Sequence, residues 1–207
     1  PVVIAGLFVV ATLALLGTGA SGADKLMQVP VSAIHPTQPA IGFAEVNVTV
    51  AQYRKNPHKL FNDFCQDAGA GKVLMATAQA TLADVASFRC QDPVGTHLQD
   101  VKSAVIAPDG QIYLTDGHHS ISAYRAAMPG SDFSQPVRIT EDLRHLSSMT
   151  AFWDHLQQQQ SVWLAGPQGD ITPQSLPQQV GMAFMQDDPY RSVLYFLRGI
   201  AYEKPKQ

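Results

Sequence analysis

Hydrophobic and polar positions alternate most clearly between residues 103 and 115. Ser103-Ala104-Val105-Ile106-Ala107 and Gln111-Ile112-Tyr113-Leu114-Thr115 are apolar runs of strand length. Pro108-Asp109-Gly110 joins them with strong turn chemistry, so the pair predicts a hairpin with Asp109 as a turn former. The second run ends at Asp116-Gly117, and the period then changes. Ile121, Tyr124, Ala127 and Met128 recur at helical spacing until Pro129-Gly130 stops them. The chain thus runs strand, glycine, polar cluster, helix.

The same periodicities predict the flanking elements. Met27, Val29 and Val31 alternate in a strand, and His35-Pro36-Thr37-Gln38-Pro39 is expected to be irregular because proline removes donors and restricts its neighbours. Phe43 to Val50 reads as a strand with Glu45 at its start. Tyr53, Leu60, Phe61 and Phe64 suit helical turns interrupted at Pro57, closed by Gly69-Ala70-Gly71. Thr81 to Phe88 predicts a short helix, and Val137-Arg138-Ile139 one more strand. Met149, Phe152, Trp153 and Leu156 form an apolar helical stripe with Gln157 to Gln160 at its solvated end. A Gly/Pro-rich loop follows from Ala165 to Pro177. Asp187-Asp188-Pro189 is a helix start, after which Val193, Phe196, Leu197 and Ile200 are expected to face the core.

Composition narrows the partners. The 207 residues are 45% hydrophobic and 15% charged, enough apolar material for a core and too little charge for a disordered chain. The net charge of −3, with 14 Lys and Arg scattered, lacks the basic stripe of a general binder of long nucleic acid. A pocket for one phosphate is not excluded by that balance.

Val2 to Leu16 is uncharged and apolar, and Ser21-Gly22-Ala23 fits a small-x-small cleavage site, so residues 1–23 read as a secretion signal cut before Asp24. The start at Pro1, without Met or a basic segment, implies further sequence upstream. The alternative is an uncleaved membrane anchor. Cys65 and Cys90 are the only cysteines, and an even count in an oxidising compartment suggests a bridge, with two buried thiols as the alternative. The chain is therefore expected to be secreted or periplasmic.

The chemistry concentrates in Asp116-Gly117-His118-His119-Ser120. A helix that begins after Gly117 directs unpaired amides and a positive dipole end at whatever lies above the strand, which favours an anion, typically phosphate. Glycine permits close approach of that ligand to the main chain. His118 and His119 add donors whose charge adjusts near neutral pH. Asp116 suits orienting one imidazole or holding a cation such as Mg2+. Ser120 offers a hydroxyl to the anion or a cap. The bland alternative is a helix cap with two surface histidines.

Thr115-Asp116-Gly117-His118-His119-Ser120, between a strand and a helix, resembles the signature turn of the ParB/sulfiredoxin superfamily, in its ParB-like nuclease branch. His35-Pro36-Thr37-Gln38, with Glu45 after it, is similar to that branch's opening segment, and Asp187-Asp188-Pro189-Tyr190-Arg191-Ser192 to its C-terminal part. The resemblance implies an α+β fold: a small mixed sheet with surrounding helices, whose turn binds nucleotide phosphates. Members include a nucleotide-hydrolysing partition protein, a sulfinic-acid repair enzyme and a kinase of free serine. By that likeness Gly117, His118, His119 and Ser120 would cradle phosphate, and Glu45 would be the general base. Ser120 stands where many members carry Arg; Arg125 or Arg191 are candidate replacements, with surface roles the alternative for each. No cysteine lies in the turn, which excludes the sulfiredoxin reaction.

Other candidates are weaker. His35 could face the site across the fold or pack elsewhere. Asp142, His145, Asp154 and His155 do not form a zinc-binding spacing and read as a solvated helix face. His58 and His97 fall in loops without partners, and Trp153 and Trp163 read as core anchors. The combined expectation is a signal peptide (1–23), a phosphate-binding domain (24–146) and a helical C-terminal extension (147–207). The leading function is phosphodiester or nucleotide hydrolysis on a small phosphate-containing ligand, with catalytic His118, His119, Asp116 and Glu45 and Mg2+ as the one cofactor in view. A phosphotransferase like the free-serine kinase, or an exported module that binds without catalysis, are the alternatives.

Overall fold

The structure is a computed structural model and describes residues 24–203; residues 1–23, which read as a secretion signal in the sequence, lie outside the described residues. Among the described residues, eleven strands and five α-helices follow one another as β1 (Lys25–Pro30), β2 (Ile34–Pro36), β3 (Ala40–Ile41), α1 (Phe43–Lys55), α2 (Pro57–Asp67), β4 (Val73–Ala76) and β5 (Phe88–Cys90). The chain continues through β6 (Ser103–Ile106), β7 (Ile112–Leu114), α3 (His118–Ala127), β8 (Ser134–Asp142), α4 (Met149–Gln158), β9 (Ala165–Gly166), β10 (Gly169–Asp170), β11 (Gln186–Asp187) and α5 (Pro189–Leu197). The fold is α+β, as expected.

The main sheet has the order β1-β8-β6-β7-β2. β6 and β7 are the expected antiparallel hairpin, with Val105 opposite Tyr113. Their two-residue alternation serves two cores at once. Ala104, Ile106, Ile112 and Leu114 point to one cluster with α1, α2 and α3, while Val105 and Tyr113 point to the other with Phe152 and Trp153 of α4. The hairpin is thus covered on both faces, which explains its nearly continuous apolar sequence. Trp153 is an anchor in the second core, as expected, but Trp163 is 55% exposed.

β2 runs parallel to β7, with His35 opposite Tyr113. The prolines that suggested irregular chain are accommodated because β2 is an edge strand of three residues. Parallel pairing brings the ends of β2 and β7 to the same edge, and Thr37 Oγ1 donates to the Leu114 carbonyl across it. A second parallel pair, β3 with β11, sets Asp187 opposite Ile41. Residues beyond 146 are therefore tied into this edge, since β11 and the start of α5 lie beside the start of α1.

Three expectations are corrected. Residues 43–50 are the first part of helix α1. Val46, Val48 and Val50 mimic strand alternation, but the buried positions are Val46, Val50 and Tyr53, which share one helical face, and Val48 is exposed. Residues 81–87 are turns leading into β5, because side chains capture the backbone there. Ser87 Oγ accepts from Thr81 N–H and donates to the Asp84 carbonyl, while Asp84 accepts from Ala86 N–H. Finally, Val193, Phe196, Leu197 and Ile200 are exposed, and Ser192 is the buried residue of α5.

Cys65 and Cys90 form a disulfide between α2 and β5. Among the described residues, no helix is long and apolar enough to cross a membrane.

Candidate functional site

The shared edge gathers the starts of α1, α3 and α5. The way their first amides are satisfied differs. At α1, Gly42 N–H donates to His119 Nε2 at 2.9 Å, Phe43 N–H to Asp187 Oδ1 at 2.8 Å, and Glu45 N–H to Ser192 Oγ at 3.4 Å. At α5, Asp188 Oδ1 accepts from Tyr190 and Arg191 N–H, the cap expected from Asp-Pro. At α3 the cap residue is Gly117, left-handed at φ 93, with no side-chain cap. Among the described residues, no hydrogen bond reaches the amides of His118, His119 or Ser120. α3 is thus the helix start left without acceptors.

The two histidines part ways. His118 is buried at 5% exposure, and its Nε2 accepts from Thr37 N–H at 3.2 Å. Burial, with His119 and Arg191 nearby, holds its imidazole down at about 3. His119 faces the cavity described below; burial, then Arg191 and Arg198, hold it at about 4 against the pull of Asp116 and Asp188. Both rings are neutral at pH 7, and each Nε2 receives a backbone proton. The expected pair of adjustable donors is therefore replaced by two acceptors that fasten the β2–α1 segment over the turn.

Glu45 Oε2 lies 3.4 Å from His119 Nε2. With a neutral ring whose Nε2 already accepts from Gly42, this contact is not an ion pair. Burial pushes the Glu45 carboxyl up to about 7, with Arg198 and Arg191 pulling the other way. A carboxyl that titrates near neutrality beside a fixed imidazole is suited to moving protons. Both groups open onto a cavity of about 270 Å3, together with Ser120, Asp67, Tyr195 and Arg198.

Asp116 is exposed at the rim of the turn, where its charge acts on His119 and Lys102. Among the described residues, no group of three His, Cys, Asp or Glu is placed to hold a metal. Asp142, at the end of β8, pairs with Arg144, and His155 of α4 pairs with Glu141, so Asp142 and His155 do not share the helix face expected of them. His35 stacks on Tyr113 with ring centroids 5.2 Å apart. Arg125 is occupied elsewhere, donating to the Val180 carbonyl and Gln179 Oε1. Arg191 does reach the site: it depresses both imidazoles while pairing with Asp188 at 3.4 Å.

Three residues carry no signal in the sequence: Asp67, Lys102 and Arg198. None sits in a motif, and each is delivered by a different part of the chain; Ser192 lies within the C-terminal motif, but nothing in that motif points to it as the acceptor for the start of α1.

A family profile for a ParB-like nuclease matches residues 27–207. No curated protein matches the sequence. Among solved structures, protein Atu1540 from Agrobacterium tumefaciens superimposes with a TM-score of 0.60 at 20% identity, covering 88% of this chain and 72% of the other. At that identity the likeness shows the fold alone.

Proposed function

The chain belongs to the ParB-like nuclease family, and from that membership and the site geometry we propose that it binds a phosphate or nucleotide at Gly117–Ser120 and hydrolyses a phosphodiester or nucleotide there. The observation that carries this reading is the set of amides at His118, His119 and Ser120 without acceptors, beside a cavity that holds Glu45. Those amides and the helix dipole would hold the phosphate. Glu45, as carboxylate, would take the proton of the attacking water while the phosphorus–leaving-group bond breaks, and would return that proton to the leaving oxygen. His119, accepting from Gly42 N–H, would hold the start of α1 and with it Glu45, and His118 would anchor Thr37 and so fix the turn. Mg2+ would enter with the phosphates, with Asp116 the one carboxylate on the turn. The disulfide suits an oxidising compartment, consistent with export of the domain.

The cavity is larger than one water requires. That favours, as a second reading, transfer of the phosphoryl group to a small hydroxyl-bearing acceptor, as in the free-serine kinase of the superfamily.

The protein is assayed with ATP, ADP and a short phosphodiester, with and without Mg2+, and with free serine as acceptor in a parallel arm. Release of phosphate or nucleotide is the expected result. Saturable binding without turnover would reduce the domain to a binding module. The absence of both binding and turnover would contradict the assignment.

A further inference from the structure

The turn itself carries no permanent cation: its imidazoles are neutral, and residue 120 is Ser. Arg198 lines the cavity and Arg191 acts on both imidazoles from the α5 side; a fixed positive charge on the Gly117 side would add to them in holding a doubly charged phosphate. Lys102, just before β6, is placed to be that charge. Its stem lies across the glycine of the turn, so close that a Cβ on Gly117 would sit 2.6 Å from Lys102 Cγ and 2.7 Å from its Cδ. The strand it enters is bonded to the same turn, since the Ser103 carbonyl accepts from Thr115 N–H at 2.8 Å and Asp116 N–H at 3.3 Å. Gly117 therefore serves a second purpose beyond its left-handed φ of 93, which is to leave room for a lysine over the turn.

The ammonium ends beside Asp67, with Nζ 3.0 Å from Oδ1. Asp67 in turn accepts from Tyr124 O–H at 2.8 Å, and the Ser120 hydroxyl faces the same carboxylate. Lys102 and Ser120 thus meet at one anionic group, and Ser120 and Asp67 both line the cavity that holds Glu45. An ammonium has three donors, and the described residues supply Lys102 with one bonded partner, Asp67. The other donors remain for a ligand. We propose that Lys102, parked on Asp67, supplies a permanent positive charge on the Gly117 side of the phosphate site, with Asp67 as the positioning residue that holds it beside the turn.

The proposal rests on the phosphate-binding reading and deepens it. A ligand phosphate on the amides of residues 118–120 would meet Lys102 from the Gly117 side. Asp67 is largely buried and its carboxyl is pushed up by burial, an effect that Lys102 counters. Removing Lys102 alone would strand that carboxyl and risks unfolding the domain. The decisive variant therefore removes both charges together, Lys102→Met with Asp67→Asn, which keeps the volumes similar. Lys102→Arg keeps the charge and serves as the rescue.

Binding of inorganic pyrophosphate is measured by calorimetry at several salt concentrations, with circular dichroism to check folding. The double variant is expected to fold, to bind pyrophosphate at least ten-fold more weakly, and to show a shallower dependence of affinity on salt, since one cationic contact is lost. Lys102→Arg is expected to retain affinity within a few-fold. A folded double variant that binds with wild-type affinity and salt dependence overturns the role of Lys102 while leaving the phosphate site intact. Wild-type protein that binds no pyrophosphate overturns both. If the double variant does not fold, Lys102→Gln decides, since it keeps a donor for Asp67 without the charge: affinity lowered at least ten-fold with a shallower salt slope supports the proposal, and wild-type affinity and slope overturn it.

Discussion

Glu45→Gln is expected to lower kcat by roughly 10²- to 10⁴-fold, the range over which a positioned general base contributes, and to leave KM within a few-fold. The substitution is isosteric and resembles the protonated carboxyl, so the fold and the Glu45 N–H bond to Ser192 are retained. The pH profile should carry the same signature. Burial holds the carboxyl at about 7, so the base is protonated and idle in acid and becomes active as pH rises through neutrality. An exposed carboxylate near its ordinary value of 4.5 would place that limb more than two units lower. The measurement is a steady-state pH–rate profile of wild type and Glu45→Gln. A variant that keeps wild-type turnover, or a wild-type limb near 4.5, removes Glu45 from the chemistry.

Stability should fall on acidification, and His118 should be a principal cause. Its imidazole titrates at 6.5 when free and at about 3 in the fold. A depressed value means that the stabilisation is fully present above 6.5 and is lost as pH falls toward 3, because the unfolded chain takes up the proton first. His119, held at about 4, acts in the same direction. Glu45 acts oppositely: its folded value of about 7 lies above 4.5, so its contribution is present in acid and is lost as pH rises through 7. Glu45 therefore offsets about one imidazole, and His118 decides the net trend. At pH 4 the loss through His118 is on the order of 3 kcal/mol, or roughly 10 °C in Tm for a domain of this size. His118→Gln keeps an acceptor for Thr37 N–H without titrating. Its Tm should decline less between pH 7 and pH 4 than that of wild type; parallel curves would exclude a buried neutral imidazole.

The sequence made the turn legible because its signal is local. An alternating hairpin, a glycine and a change of period fit in one short stretch, and the structure has the same strands and helix there. Glu45 was legible only through a resemblance of position, and its element was misread because three valines at alternate positions imitate a strand. What turned residues 43–50 into helix is tertiary: His119, Asp187 and Ser192 arrive from distant parts of the chain to accept its first amides. The protonation of the histidines was equally out of reach, since burial rather than neighbours in sequence sets it.

α5 was read inside out for a physical reason. Its apolar residues suggested a core-facing side, yet Ser192 is the buried one, and Arg191, Tyr195 and Arg198 act on or line the site. The helix covers a polar cavity, so its polar face is the inner one. Binary pattern assigns the apolar side to the interior, a rule that fails where the interior is a site. Lys102 and Asp67 were missed for a related reason. A lysine before one strand and an aspartate at the end of a distant helix become partners only when the sheet edge brings them together.

The central claim is that an anion docks on the first amides of α3 beside Glu45. The direct test is amide NMR of uniformly labelled protein during titration with inorganic pyrophosphate. The largest saturable shifts are expected on Gly117, His118, His119 and Ser120, with smaller ones at Gly42 and Glu45. Shifts confined to other surfaces, or none at saturating ligand, would contradict the claim.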